Sequence, residues 1–288
     1  LGEHGFPLML RSDWNDMLYR VCTEGKGESI WTAMQFGLAL KQMAELAQLR
    51  GEDDHRYWAA YADQKRRVNT IGWDGKWFRR AIMDDGRYVG SEQEEQAKIW
   101  LNTQSWSIIS GMADPEKALT AMDSVYELLN TPMGIKKIHP AMTTDYPSKD
   151  KYLTKYNKGT GENGSIFCHA NTWAIIAECI LGRAERAYEY YRQILPMNAQ
   201  EYAGEWRYKA EPYVYSSNIF GPESDKFGLA NVSWLSGTAA WMYIAATQYI
   251  LGIKPQWEGL TVKPCIPANW AGVKVTRMFR GKEYTFEL

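Results

Sequence analysis

Residues 30–49, IWTAMQFGLALKQMAELAQL, hold apolar side chains at helical spacing, opened by Gly27-Glu28-Ser29 and closed by Arg50-Gly51. Ser29 suits the N-cap and Gly51 the left-handed position just past the end, which predicts one well-bounded helix. The pattern then returns in pairs. A second helix is expected over 53–68, with Tyr57, Trp58 and Tyr61 at helical spacing. Helical periodicity resumes over 94–112. Asp114-Pro115 opens a further helix to 129, because Pro fits the first turn after an Asp cap. Another pair is expected over 170–181 and 183–194, and a strongly apolar helix over 234–250. Short strands flank two turns between these helices, Trp73 to Arg79 and the hairpin Asp84-Asp85-Gly86-Arg87.

Helical hairpins must bury one stripe each against their neighbours, which leaves a solenoid or a closed ring. No internal repeat of solenoid period occurs, so the expected class is mainly α: an (α/α) six-hairpin toroid. Such a ring needs about twelve helices, and about seven are legible, which predicts the later half of the barrel. The opening Leu1-Gly2-Glu3-His4 has neither Met nor a signal-peptide pattern and reads as the middle of a longer protein. After Gly252 the residues at 260–262, 273–275 and 284–286 alternate with period two, predicting a short antiparallel β tail. The expected organisation is a barrel domain over 1–252, incomplete on its N-terminal side, and a β segment over 253–288.

Composition narrows the partners. The 288 residues carry 33 basic and 34 acidic side chains, a net charge of −1, with no basic stripe to hold nucleic acid or an anionic membrane. No apolar run approaches the roughly 18 residues that a membrane span needs. Cys22, Cys168, Cys179 and Cys265 are scattered without a CxxC pair, which argues against zinc or a disulfide framework and for reduced, cytoplasmic thiols. The 13 Trp and 18 Tyr are the notable excess. Their flat, amphipathic rings fill cores and also form walls for sugar rings.

Polar islands interrupt the helices, each in aromatic company. RSDWND (Arg11 to Asp16) sets two carboxylates around an indole beside apolar sequence; Ser12 or Asp13 could cap a helix there, or the cluster could form a site. The stretch 131–163 has no sustained period, and His139, Tyr146, Tyr152 and Tyr156 in it, with His169 just beyond, favour a binding loop. ENGSIFCHANTW (162–173) and EPYVYSSN (211–218) follow, the second in a long loop over 196–233. In NVSWLSGTAAW, Ser236-Gly237-Thr238 is either an ordinary helix cap or a cradle for an anion.

Together these islands carry a resemblance. RSDWND, ENGSIFCH, EPYVYS, SWLSGTAAWMY and YILGIKPQWEGLTVKPCIP occur in the order and near the spacing found in the cellobiose and chitobiose phosphorylases. From Gly5 to its C-terminus the chain resembles this inverting group of glycoside hydrolase family 94. The resemblance implies a β-sandwich and linker ahead of the barrel, a jelly-roll cap behind it, and a cytoplasmic homodimer. It implies phosphorolysis of a β-linked disaccharide such as cellobiose to α-glucose 1-phosphate and a free sugar. Laminaribiose, diacetylchitobiose and cellobionic acid are alternative substrates. Phosphate is a co-substrate, and no cofactor or metal is implied.

By the same match Asp16 is the general acid, with Arg11, Asp13 and Trp14 around the donor sugar. An aromatic, partly desolvated pocket suits such an acid by keeping it protonated. His169, Ser236 and Gly237 would bind phosphate, and Tyr156, Glu162 and Ser217 would lie on the acceptor side. Ser236 stands where the family usually has Thr, and Ser217 where several relatives have Gln. A phosphorolytic site needs no second carboxylate to activate water, whereas an inverting hydrolase does, and Glu162 or Glu211 would have to serve. A non-catalytic sugar-binding module would keep the aromatic residues without needing the acid.

Overall fold

The computed structural model describes residues 1–146, 153–270 and 272–288; Tyr152 of the expected binding loop lies outside them. The helices pair as hairpins. α1 (Ile30–Arg50) packs on α2 (His55–Thr70), α3 (Leu101–Ile109) on α4 (Pro115–Leu129), and α5 (Cys168–Ile180) on α6 (Ala184–Gln193). α3 also packs on both α1 and α5, so the odd-numbered helices form one row and their partners a second row outside it. Burial explains the division. α3 is buried from Leu101 to Ile108, and α5 is buried almost throughout, while α6 buries only Ala187 and Tyr190. A helix covered on all sides belongs inside, and an amphipathic one belongs at the surface.

The local signals behave as expected. Ser29 Oγ accepts the Thr32 amide at 3.0 Å and caps α1, and Gly51 ends it with φ of 69°. Pro115 opens α4, and Ala81–Ile82 and Tyr88–Val89 pair across the Asp84–Arg87 turn. Residues from Ile253 onward form two antiparallel hairpins, Ile253–Pro255 with Leu260–Val262 and Lys274–Phe279 with Lys282–Glu287.

Each inner helix is entered through a two-residue strand: Glu28–Ser29 before α1, Ile99–Trp100 before α3, Ile166–Phe167 before α5. These strands pair with segments from the intervening loops, Ala81–Ile82, Ile138–His139 and Ser216–Ile219 respectively. That pairing corrects the expected helix over 94–112. Residues 94–98 join the loop side instead, with the Ala97 amide donating to Pro140 O at 2.8 Å and Gln96 Oε1 accepting the Thr143 amide at 2.6 Å.

Two more expectations change. The loop over 196–233 contains α7 (Pro196–Ala203) and α8 (Glu205–Tyr208), separated by Gly204 at φ 85°. The helix expected from 234 starts only at Thr238. Trp234 takes φ of 71° and is 68% exposed, and α9 (Thr238–Ile244) continues as a wider π-turn over Ala245–Ile250 against α5. Among the described residues no helix is long and apolar enough to cross a membrane.

Glu178, inside α5, yields the first prediction. Its carboxylate meets Arg183 and Arg186 only at 3.7 Å, while Asp123 takes closer contacts from both arginines at 2.8 Å. Burial pushes the Glu178 carboxyl up from 4.5 to about 7, against the pull of the arginines. A raised pKa means that its contribution is full below the unfolded value and is lost as pH rises through 7. Glu178→Gln is therefore expected to melt several degrees above the parent at pH 8–9 and within a degree or so of it at pH 5. Thermal melts across that range check the difference.

Candidate active site

The island RSDWND lies across the N-terminal ends of α1, α3 and α5. Asp13 ties it to α1: Oδ2 accepts the Ser29 hydroxyl at 2.7 Å, and Oδ1 accepts the Asn15 amide at 2.9 Å and Arg80 Nη2 at 2.6 Å. Burial raises the Asp13 carboxyl, but the Arg80 guanidinium and the other donors outweigh it and hold the group below its ordinary range. Arg80 is fully buried beside the Trp31 and Trp100 rings, at 5.3 and 5.7 Å. Such an ion pair persists in a low dielectric only when hydrogen bonds saturate it. Both oxygens of Asp13 are therefore engaged by the protein itself.

Asn15 ties the island to α3 and to the ENG island. Its Oδ1 accepts Arg80 Nη2 at 2.8 Å and Asn102 Nδ2 at 3.1 Å, and its Nδ2 donates to Glu162 Oε1 at 3.1 Å. Glu162 Oε2 accepts the Met17 amide at 3.0 Å, and Lys137 Nζ donates to Glu162 Oε1 at 2.7 Å. One buried carboxylate thus holds the residues on both sides of Asp16. Lys137, fully buried, stands over the Trp14 and Phe167 rings at 4.4 and 4.1 Å. Burial lowers the Lys137 pKa, and the Glu162 charge opposes that.

Asp16 itself is exposed at the start of a 3-10 turn, Asp16–Leu18. With Arg11, Ser12, Tyr19 and Lys155 it lines an open cavity of about 550 Å³. The aromatic pocket expected around it therefore gathers at Trp14 instead, two residues earlier in the loop. Tyr156 is 44% exposed, and burial, with the charges of Glu162 and Asp16, raises its phenol.

Trp14 ties the island to α5. Its ring meets Phe167 and His169 edge-on at 5.3 Å each, and Trp173 at 4.8 Å. His169, the second residue of α5, also packs on Trp173 at 4.8 Å and Trp241 at 6.3 Å. Burial and the Lys137 ammonium push the His169 imidazole down to about 4, so the ring is neutral at pH 7. Its Nε2 is buried with no hydrogen-bond partner among the described residues, an arrangement that a ligand oxygen would satisfy.

Gly237 lies against this ring: a Cβ there would stand 2.7 Å from His169 Cε1 and 2.9 Å from Nδ1. Ser236 Oγ shares a hydrogen bond with the Thr238 hydroxyl and accepts the Thr238 amide at 3.1 Å, just ahead of α9. The structure thus sets His169 against both Trp14 and Gly237, with Asp16 two residues beyond Trp14 on the same loop. Ser217 is half-buried in Ser216–Ile219, next to Asn218, which pairs with Phe167. Glu211 lies on the loop side, accepting the exposed Trp234 indole at 3.1 Å.

Sequence reading missed Arg80, Lys137, Asn15 and Asn102. Asn15 stood inside a motif already singled out, whereas the others look like ordinary surface residues until their burial is known. Among the described residues no cluster of three His, Cys, Asp or Glu side chains could hold a metal ion.

The catalytic-domain profile of the glycosyl hydrolase 94 superfamily matches residues 1–252. The chain belongs to the glycosyl hydrolase 94 superfamily. This catalytic-domain chain is 38% identical over 290 residues to a solabiose phosphorylase of Paenibacillus borealis, covering 99% of the chain and 37% of that protein. It is 36% identical over 293 residues to an N,N'-diacetylchitobiose phosphorylase of Vibrio proteolyticus, covering 100% of the chain and 36% of that protein. A cellobionic acid phosphorylase of Neurospora crassa is 29% identical over 99% of the chain and 36% of its own length. The chain thus spans little more than a third of these glycosyl hydrolase 94 relatives. A glycosidase variant solved with glucose superposes with a TM-score of 0.56 at 12% identity, over 85% of this chain and 56% of that one. The hairpins are accordingly of the (α/α)-barrel type.

Proposed function

We propose that the complete protein carries out inverting phosphorolysis of a β-linked disaccharide, with inorganic phosphate as nucleophile and an α-sugar 1-phosphate as product. The observation that carries this reading is His169 set between Gly237 and the Trp14 ring, with Asp16 on the Trp14 loop lining an open cavity. Asp16 donates a proton to the glycosidic oxygen as the bond breaks. Phosphate already bears negative charge, so its attack from the opposite face needs binding and aim instead of a base. The neutral His169 supplies an N–H, and the Gly237 amide and Ser236 hydroxyl complete the anion contacts. Arg11 and Trp14 contact the donor sugar, while Tyr156 and Ser217 border the acceptor.

Asp13 and Glu162 act mainly by holding the loop, since their carboxylates are saturated by protein donors. The same saturation weighs against the hydrolytic alternative. Glu162 is neutralised by Lys137 and so is not free to activate water, and Glu211 is held by the exposed Trp234 indole. The full protein is read as a cytoplasmic homodimer that needs no cofactor, its barrel completed by further hairpins and its β tail extended into a jelly roll. Phe36, Met43, Leu46 and Leu49, exposed along α1 at the end of the inner row, form the apolar stripe that a neighbouring hairpin would cover.

The test is a panel of β-linked disaccharides, incubated with the full-length protein with and without phosphate. Release of α-sugar 1-phosphate only when phosphate is present supports the reading, and equal sugar release without phosphate would replace it with hydrolysis. A sharper test of the anion site is Gly237→Ala. Gly237 has φ of −77°, ordinary for alanine, so the backbone is not strained. The three atoms nearest the added methyl group all belong to the His169 ring, which is held by Trp14, Trp173 and Trp241. A loss of about a hundredfold in kcat/KM for phosphate is expected, with a fall of a few degrees in melting temperature as the ring is pushed aside. Unaltered phosphate kinetics would remove His169 from the anion site.

A further inference from the structure

The scattered spacing of the cysteines hides a pair. Cys179 is buried near the C-terminal end of α5, and Cys265 is half-buried in the segment that follows Leu260–Val262. The Cys265 amide donates to Ile250 O at 2.8 Å, at the end of the π-turn that packs on α5, so the two elements are held side by side. Cys265 packs against the core cluster that holds Cys179, and the two thiols interact there, the Cys265 sulfur helping to hold the Cys179 thiol above its ordinary range. From the same segment, the Ala268 amide donates to Glu185 Oε1 at 3.2 Å, and Trp270 meets Tyr188 edge-on at 5.0 Å. Two interacting thiols, one of them only half-buried, are chemically distinct from Cys168, which is fully buried and whose thiol burial pushes up to about 12.

We propose that Cys179 and Cys265 are a modification site: a dithiol that peroxide converts reversibly into a disulfide, fastening the C-terminal β segment to α5. Cys265 reacts first. It is the more accessible sulfur, and its interaction with Cys179 lowers its pKa, against burial and the Glu185 charge. Its thiolate attacks hydrogen peroxide; an S–O bond forms, the O–O bond breaks, and the departing hydroxide leaves as water, giving a sulfenic acid. The Cys179 sulfur then attacks the Cys265 sulfur. The S–S bond forms, the S–O bond breaks, and hydroxide leaves with the Cys179 proton as a second water. Two thiols lose two electrons in total, and one peroxide is reduced to two waters. Cys179 lies ten residues beyond His169 on α5, about 15 Å along the helix, so the bridge leaves the candidate active site untouched.

The test is to treat the full-length protein with hydrogen peroxide, digest it without reductant, and map the peptides by mass spectrometry. The expected result is a peptide linked through Cys179 and Cys265, two hydrogens lighter than the reduced pair and released by dithiothreitol, with Cys168 unmodified. Bridging should raise the melting temperature by about 5 °C, because it closes a long loop in the unfolded chain. Cys265→Ser should retain the untreated protein's activity and lose both the linked peptide and the peroxide-induced rise. Folded protein in which Cys265 ends as sulfinic acid without a bridge, or in which both thiols survive peroxide, would overturn the proposal. The wild-type peptide map decides this even if the variant fails to fold.

Discussion

Asp16→Asn in the full-length protein is expected to lower kcat for phosphorolysis by about a thousandfold while leaving the melting temperature within about 1 °C. The first figure is the usual worth of a positioned proton donor. The second follows from exposure: Asp16 lies on the open cavity, and the contacts that shape its loop belong to Asp13, Asn15 and the Met17 amide. Steady-state rates in both directions measure the effect, and the reverse reaction should fall equally, since the acid of one direction is the base of the other. Sugars bearing a good leaving group, which need little protonation, should recover much of the loss. A variant that keeps a tenth of the parent rate on an ordinary disaccharide would deprive Asp16 of its role.

Lys137→Met should be the most destabilising single change in the site. It removes the cation from Glu162, leaving a carboxylate with 7% exposure whose remaining donors are Asn15 and the Met17 amide. Breaking a buried ion pair from one side costs about 3–5 kcal/mol, roughly 10 °C in melting temperature for a chain of this size. Removing the second charge as well should restore much of that, so Lys137→Met with Glu162→Gln is expected to melt well above Lys137→Met alone. Activity in the double variant should stay low, because Glu162 no longer clamps both neighbours of Asp16 with full charge. Equal melting temperatures for the single and double variants would show that the pair is not coupled.

Much of this molecule is legible without coordinates, and the legible parts share one property: their determinants are close in sequence. Ser29 caps α1 through an amide three residues on, Gly51 ends it, Pro115 starts α4, and the Asp84–Arg87 turn joins adjacent strands. Where distant partners compete, sequence reading errs. Residues 94–98 have helical composition, yet Pro140 and Thr143 draw their backbone and side chains into the loop layer. The motifs RSDWND, ENGSIFCH and SWLSGTAAW marked Asp16, His169 and Gly237 through their resemblance to a family, and family membership follows from comparison over residues 1–252.

The amino-acid sequence alone determined the paired helices, their caps, the β tail and the order of the polar islands, because each depends on side chains within a few residues of one another. Only the tertiary structure decided which charges go inside. Arg80 reaches Asp13 across 67 positions and Glu162 reaches Asn15 across 147, and no local pattern distinguishes them from surface residues. A buried charge is tolerable only where the fold delivers its partner, so its role exists only once the inner helices bring those loops together.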